Sequence, residues 1–148
     1  MVIQRLQNLY LFLSAVLMAV FAYINVFYVN APESSLSVSC LGIYDLNGID
    51  LSPVSIVLAI LAVVFPLLTI SKFNILKLQK SLCSVCVVIN LGLMAYLAVT
   101  AYVNYSEMTV SLNYTAVVLL VLAIVLDILA RRGIMHDIKL LRDSDRIR

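Results

Sequence analysis

The residues that most plainly could do chemistry are two cysteines, Cys83 and Cys86, which form a C-x-x-C motif at the start of a long apolar run. Such a pair can undergo thiol–disulfide exchange, but relaying electrons requires an oxidising compartment and usually a second pair. Cys40, the third cysteine, stands alone. A thiol oxidoreductase is therefore a remote alternative, and the default interpretation is that both thiols are small buried hydrophobes.

Other enzyme chemistry finds little support in the sequence. Two thiols are too few for a closed zinc site, and His136 is the single histidine. No phosphate-binding loop, nucleophile elbow or metal-binding helix motif is present. We expect no enzymatic activity, no cofactor and no metal.

Polar residues inside the apolar runs form a second group of candidates. We expect Gln7, Asn25 and Asn90 to turn inward and bond neighbouring helices. Asp127 is the single charge within an apolar run, with Arg131 four residues later, so an interfacial ion pair is favoured over a proton relay.

The elements that must hold these residues are membrane-spanning helices. The chain has 148 residues, of which 64% are hydrophobic and 12% charged. Soluble domains are about half apolar and a quarter charged, so part of the solvent must be lipid. Crossing about 30 Å of hydrocarbon takes about 20 helical residues. The apolar runs that meet this length are 9–29, 51–71, 82–103 and 112–130.

Basic residues predict the orientation of these spans. They are confined to the N-terminus (Arg5), the connection 72–81 and the tail 131–148, whereas the connections 30–50 and 104–111 carry acids but no Lys or Arg. This is the positive-inside pattern, so both termini are predicted to be cytoplasmic. Membrane lipids are the expected partners, and the basic residues at the inner headgroups do not imply nucleic-acid binding.

Small residues recur at helical spacing in three spans. We expect each stripe to be a packing seam, because small side chains let helix backbones approach in lipid; a ligand groove is the alternative. The stripes are Ser55, Ala59, Ala62, Pro66 and Thr69; Gly92, Ala95, Ala98 and Ala101; and Ala116, Ala123 and Ala130.

The connections predicted to lie outside alternate in the manner of strands. Leu36, Val38 and Cys40 alternate with serines, and Asn47-Gly48 is a hairpin signal. Alternation recurs around Val110. The predicted fold is therefore an all-α membrane protein, an antiparallel four-helix bundle in one domain, with a small extracytoplasmic β-sheet built from both outer loops.

The tail offers the last candidate site. Ile134, Ile138 and Leu141 are spaced i, i+4, i+7, which fits a continued helix or a helix at the headgroups; a solvated tail is the alternative. The residues proposed to contact a partner are Arg142, Asp143, Ser144, Asp145, Arg146 and Arg148.

Three segments carry a resemblance to a known family. Residues 3–11, 77–80 and 141–148, the last reading LRDSDRIR, resemble a domain-of-unknown-function family of small four-helix inner-membrane proteins of Gram-negative bacteria. The resemblance covers the whole chain and implies fold and location, but no catalytic residues. A weaker, topological similarity is to claudin-type tetraspan proteins, whose outer loops also place strands over a four-helix bundle. Residues 41–44, LGIY, look like their glycine-leucine-tryptophan element.

These observations favour a non-enzymatic accessory or scaffold subunit of a membrane complex, bound to another membrane protein or to its own copies. The alternative is a small transporter or lipid-binding protein that uses Asn25, Asn90 and a bend at Pro66.

Overall fold

Four helices and five short strands make up the chain in a computed structural model that describes residues 2–30, 35–45, 48–72, 75–105 and 109–145. The helices are α1 (Val2–Tyr23), α2 (Pro53–Ser71), α3 (Leu76–Asn104) and α4 (Tyr114–Asp145). The strands are β1 (Phe27–Asn30), β2 (Ser35–Val38), β3 (Gly42–Asp45), β4 (Gly48–Leu51) and β5 (Thr109–Leu112). All four helices are long and apolar enough to span a membrane.

The helices form a ring in which α1 packs against α2 and α4, and α3 packs against α2 and α4. Consecutive helices run antiparallel, because the connections β1–β4 and β5 lie at one end, here called the sheet end, and the short α2–α3 connection lies at the other. We call that other end the tail end, since α4 continues beyond it. This arrangement agrees with the predicted antiparallel bundle.

The strands form one antiparallel sheet in the order β4-β3-β2-β1-β5. The small sheet was predicted, but β1 was not: 9–29 was predicted as one span, whereas α1 ends at Tyr23. A tight turn follows, in which the backbone N–H of Ile24 donates to Phe21 O over 3.2 Å, and the N–H of Val26 then donates to Val38 O. Phe27, Tyr28 and Val29 are aromatic or β-branched, and residues 27–30 alternate between buried and exposed, as in a strand with one face against the core.

Two predicted stripes are confirmed as packing seams. The buried residues of α2 are Ser55, Ala59, Ala62, Pro66 and Thr69, and Ala116, Ala123 and Ala130 of α4 are fully buried. The predicted stripe on α3 is wrong, because Gly92 and Ala95 are exposed and α3 turns larger residues inward. The buried residues of α3 are Gln79, Cys83, Cys86, Asn90, Leu93, Leu97 and Ala101.

The helix α4 continues past the predicted span 112–130 into the tail, as the spacing of Ile134, Ile138 and Leu141 indicated, so the alternative of a solvated tail is wrong as far as Asp145. It runs to Asp145, and the tail residues Ile134 and Asp137 are buried against the bundle. At 1.5 Å per residue, the 32 residues of α4 extend about 48 Å, more than the 30 Å of a bilayer core. The α2–α3 connection is shorter than predicted, since α3 begins at Leu76 and contains Lys77 and Lys80.

Candidate functional site

The most deeply buried polar contact joins α3 to α4. The Asn90 side-chain N–H (Nδ2) donates to Asp127 Oδ2 over 3.1 Å, and neither residue has any solvent exposure. The other two oxygens of this pair, Asn90 Oδ1 and Asp127 Oδ1, are buried without a hydrogen-bond partner. Buried polar atoms are nearly always paired, so these two atoms single out the site.

Polar atoms of the other two helices line the same level of the bundle. On α1 the Ser14 hydroxyl donates to Ala123 O, one turn before Asp127, over 3.4 Å, and it lies within hydrogen-bonding reach of Asp127 itself. On α2 the Thr69 hydroxyl donates to Phe65 O over 2.7 Å and lies beside the Cys86 thiol. All four helices therefore contribute to a polar layer around Asp127, even though each helix is mostly apolar.

Cys83 and Cys86 are part of this layer. They are buried at 0% and 1% exposure, are not joined in a disulfide, and lie within electrostatic range of Asp127. Their burial agrees with the predicted packing role and leaves them shielded from soluble oxidants. Over the described ranges, no three His, Cys, Asp or Glu residues converge as a metal-ligand set.

A second polar layer lies closer to the tail end. The Gln7 side-chain amide (Nε2) donates to Asp137 Oδ2 over 2.8 Å, joining α1 to α4. The Gln79 amide donates to Asn8 Oδ1 over 3.4 Å, joining α3 to α1. Gly133 of α4 lies against Gln7, and a β-carbon on this glycine would stand 2.8 Å from Gln7 Cγ. The inner polar residues thus bind helices to one another.

The structure separates the remaining predicted residues from these layers. Asn25 is not in a helix; it follows α1, and its backbone carbonyl accepts a hydrogen bond from the Asn113 side chain over 2.7 Å. Arg131 is exposed, whereas Asp127 is buried and bonded to Asn90, so the predicted Asp127–Arg131 interfacial ion pair is wrong. The physical reason is that α4 continues past Arg131, which places Asp127 inside the bundle and not at its rim.

The tail candidates lie on or beyond the end of α4. Arg142 and Asp143 are exposed on the last turns of the helix, and Ser144 and Asp145 belong to the helix. Arg146 and Arg148 lie outside the described residues. Arg142 lies fifteen residues beyond Asp127 on the same helix, about 22 Å along its axis.

Two surface grooves accompany the sites above. The larger, about 540 Å³, runs between the sheet-end turn of α3 and β5, and a groove of about 340 Å³ lies at the start of α2. Both are lined by apolar residues on the outside of the bundle. The larger groove is lined by Phe27, Ala98, Val99, Ala101, Tyr102, Val103, Val110 and Leu112.

Sequence reasoning missed the Asn90–Asp127 contact, although a signal for it existed. Asp127 falls four residues after Ala123 and three before Ala130, so it lies on the alanine seam of α4. A side chain on that seam must face the interior. Ile134 and Asp137 continue the same spacing into the predicted tail.

Comparison with known proteins gives a family but no activity. No protein of curated function matches this chain. A family described as a domain of unknown function, DUF4293, matches residues 3–147, nearly the full length. The chain therefore belongs to the DUF4293 family, and its four apolar helices fit a small membrane protein.

Proposed function

We propose that this chain is a non-enzymatic accessory or scaffold subunit of an inner-membrane assembly, with both termini in the cytoplasm. The observation that carries the proposal is the projecting end of α4. Among the described side chains of α4, Asp137 and Ile138 are the last that pack on the bundle. Beyond them, residues 139–143 are all exposed and include two leucines beside charged groups.

The projecting end is suited to protein contact. Leu140 and Leu141 are 51% and 56% exposed. They are followed by the basic Arg142 and the acidic Asp143, which are also exposed. Exposed apolar side chains rimmed by charge are typical of interaction sites. The two leucines carry charged neighbours of both signs, which favours a protein partner over lipid alone.

The interior favours a structural role over catalysis. The buried amide side chains Gln7, Gln79 and Asn90 each bond a neighbouring helix, and the grooves lie on the outside of the bundle. Polar side chains committed in this way fix the register of the helices. Membrane lipids are the expected contact for the remaining apolar surface. The predicted similarity to claudin-type tetraspan proteins, the Gram-negative source and the orientation remain predictions.

The orientation can be tested with an impermeant thiol reagent, because the native cysteines are buried. In intact cells, a Thr109→Cys variant should be labelled and an Arg142→Cys variant should not; both should react in opened membranes. Labelling of Arg142→Cys in intact cells would contradict the proposed orientation.

The scaffold role is tested by purification in mild detergent followed by mass spectrometry. We expect a stoichiometric membrane-protein partner or a homo-oligomer, which a Leu140→Ser, Leu141→Ser double variant should lose. A matched control, Lys77→Ala with Arg132→Ala, changes exposed residues near the same end and should keep the partner. A monomer free of stoichiometric partners in the unmodified protein would refute the proposal.

One observation favours the second candidate, a small transporter or lipid-binding protein. A transport pathway needs an ionisable group deep in the bilayer, and Asp127 is a fully buried ionisable group within a predicted span, not the interfacial residue that the sequence favoured. Asn25, however, lies outside the helices. Uptake or efflux that depends on Asp127 in proteoliposomes holding only this chain would favour the transporter.

A further inference from the structure

The Asp127 carboxyl lies where a charge is costly. Asp127 is thirteen residues from Tyr114, the first residue of α4, so it lies about 20 Å below the sheet end of that helix. A hydrocarbon core of about 30 Å leaves roughly 10 Å to the opposite interface. Asp127 is fully buried there, and the nearest cation along the helix, Arg131, is exposed. An ionised carboxylate in this place would lack a counter-charge.

The hydrogen bonds of the pair are incomplete in a specific way. Asn90 Nδ2 already donates to Asp127 Oδ2, while Asn90 Oδ1 and Asp127 Oδ1 are buried and have no partner. Both unpartnered atoms are acceptors when the carboxyl is ionised, so neither can bond the other. A protonated carboxyl group has one O–H donor that the carboxylate lacks. Its O–H donor and carbonyl acceptor can pair with the carbonyl acceptor and N–H donor of a primary amide.

We propose that Asp127 binds a proton and stands as a neutral carboxylic acid, whose O–H at Oδ1 donates to Asn90 Oδ1. One proton then removes the charge and supplies a partner for both unpartnered oxygens. The site is thus a proton-binding site in the membrane interior. This inference rests on the bundle spanning a membrane and is independent of the scaffold role.

A metal cation fits the same site less well. A hard cation takes six or more oxygen ligands, or several ordered waters. The pair offers two free oxygens, and the Ser14 hydroxyl adds a third group already bonded to Ala123 O. A proton needs only the two atoms that are present.

Apolar packing borders the pair on both sides. Toward the tail end a buried cluster that includes Leu11, Ala130 and Ile134 separates Asp127 from the polar side chains Gln7 and Asp137. Toward the sheet end the interior is an apolar cluster that includes Met18, Phe21, Leu93, Leu97 and Leu120. The carboxyl group is therefore isolated from water at both ends of the bundle.

The neighbouring titratable groups are few. Cys83 on α3 lies within electrostatic range of Asp127 and of Arg131, and Cys86 lies within range of Asp127 and Cys83. Tyr10 on α1 packs against the cluster that contains Cys83. Among the described residues, α2 brings the Thr69 hydroxyl to this layer. Both thiols are buried and uncharged when protonated, so they do not replace the missing counter-charge.

Infrared difference spectroscopy of the full chain in lipid vesicles tests the proposal. At neutral pH we expect a C=O stretching band of a protonated carboxyl that Asp127→Asn abolishes completely. Asp137→Asn is the matched control, because Asp137 also accepts a hydrogen bond from a buried amide but keeps 9% exposure; it should leave the band unchanged. Asn90→Leu should shift the band, since it removes the acceptor for the acid proton.

The melting temperature gives a second readout. Asparagine has the donor and the acceptor of a neutral acid, so Asp127→Asn should fold and melt within about 3 °C of the unmodified protein, whereas Asp127→Leu should melt well below it. The unmodified protein should be less stable at high pH than at low pH, because the folded protein holds a proton that unfolding releases, and Asp127→Asn should reduce this pH dependence. Absence of an Asp127-dependent band at neutral pH, or a melting temperature that Na⁺ or K⁺ raises only when Asp127 is present, would overturn the proposal.

Discussion

Replacing Gly133 with alanine places one methyl group against the side chain that links α1 to α4. The new β-carbon would lie 2.8 Å from Gln7 Cγ, 3.1 Å from its Nε2 and 3.3 Å from its Cδ. Gln7 cannot move aside freely, because its Nε2 donates to Asp137 Oδ2 over 2.8 Å and the residue is 2% exposed. The substitution must therefore either break this hydrogen bond or separate the two helices.

The magnitude follows from three terms. Overpacking a buried contact costs about 1–3 kcal/mol. Losing a hydrogen bond to a carboxylate costs about 1.5–3 kcal/mol, and the two costs overlap because moving Gln7 relieves the clash. Replacing glycine with alanine inside a helix stabilises the helix by about 1 kcal/mol. The expected net loss is about 1–3 kcal/mol, which lowers the melting temperature by about 3–9 °C.

Gly92→Ala is the matched control, because a β-carbon there meets no atom within 4 Å and the helix-propensity gain is unopposed. Unfolding in detergent can be followed with a thiol-reactive dye, since Cys40, Cys83 and Cys86 are all buried in the fold. Adding Gln7→Ala to Gly133→Ala should remove the clash, so the double variant should be no less stable than Gln7→Ala alone. A Gly133→Ala protein that melts at or above the Gly92→Ala protein would refute the predicted clash.

Three further outcomes concern the sheet end. Gly42→Ala should lower the melting temperature by at least about 3 °C, because Gly42 has a φ of +153° and a β-carbon there would overlap the Asp50 carbonyl; an unchanged melting temperature would contradict the β3–β4 pairing. Burial raises the pKa of the Cys40 thiol to about 12, so in the folded protein this thiol should resist maleimide at pH of about 8 and react once the protein is unfolded. Asn113→Ala should cost about 1–2 kcal/mol, because the Asn113 side chain accepts from the Thr115 N–H at the start of α4 and donates to Asn25 O; circular dichroism during thermal unfolding would detect the loss.

The helices could be predicted because a helix that spans a lipid bilayer requires a long, continuous apolar run. A run of about 20 apolar residues has few alternatives to a spanning helix, and small residues at spacings of three and four mark the seams. The stripe from Ser55 to Thr69 on α2 was therefore predicted residue by residue. The strands of both connections followed from alternation, and the predicted hairpin is present as the pair β3–β4. Gly48 belongs to β4, and Asn47 lies outside the described residues.

The end of α1 and the role of Asp127 required the structure. A mostly apolar run such as 24–30 is compatible with a buried strand as well as with a membrane helix, because seven residues are too few for their periodicity to distinguish the two. Asp127 has a plausible partner at i+4, Arg131, and another on a different helix, Asn90. Which of the two contacts Asp127 depends on how α3 and α4 are rotated about their own axes where they pack. That rotation cannot be deduced from a single sequence.

The position of β1 in the sheet sets an order of events during synthesis. β1 emerges first and can pair with β2 as soon as the first connection has crossed the membrane, but its other neighbour, β5, follows two further membrane crossings. The backbone N–H and C=O groups on one side of β1 thus have no strand partner until α3 has been inserted. Closing the sheet is therefore a late step of biogenesis, and a nascent chain stalled before Thr109 would display an open β1 edge to whatever assists membrane insertion.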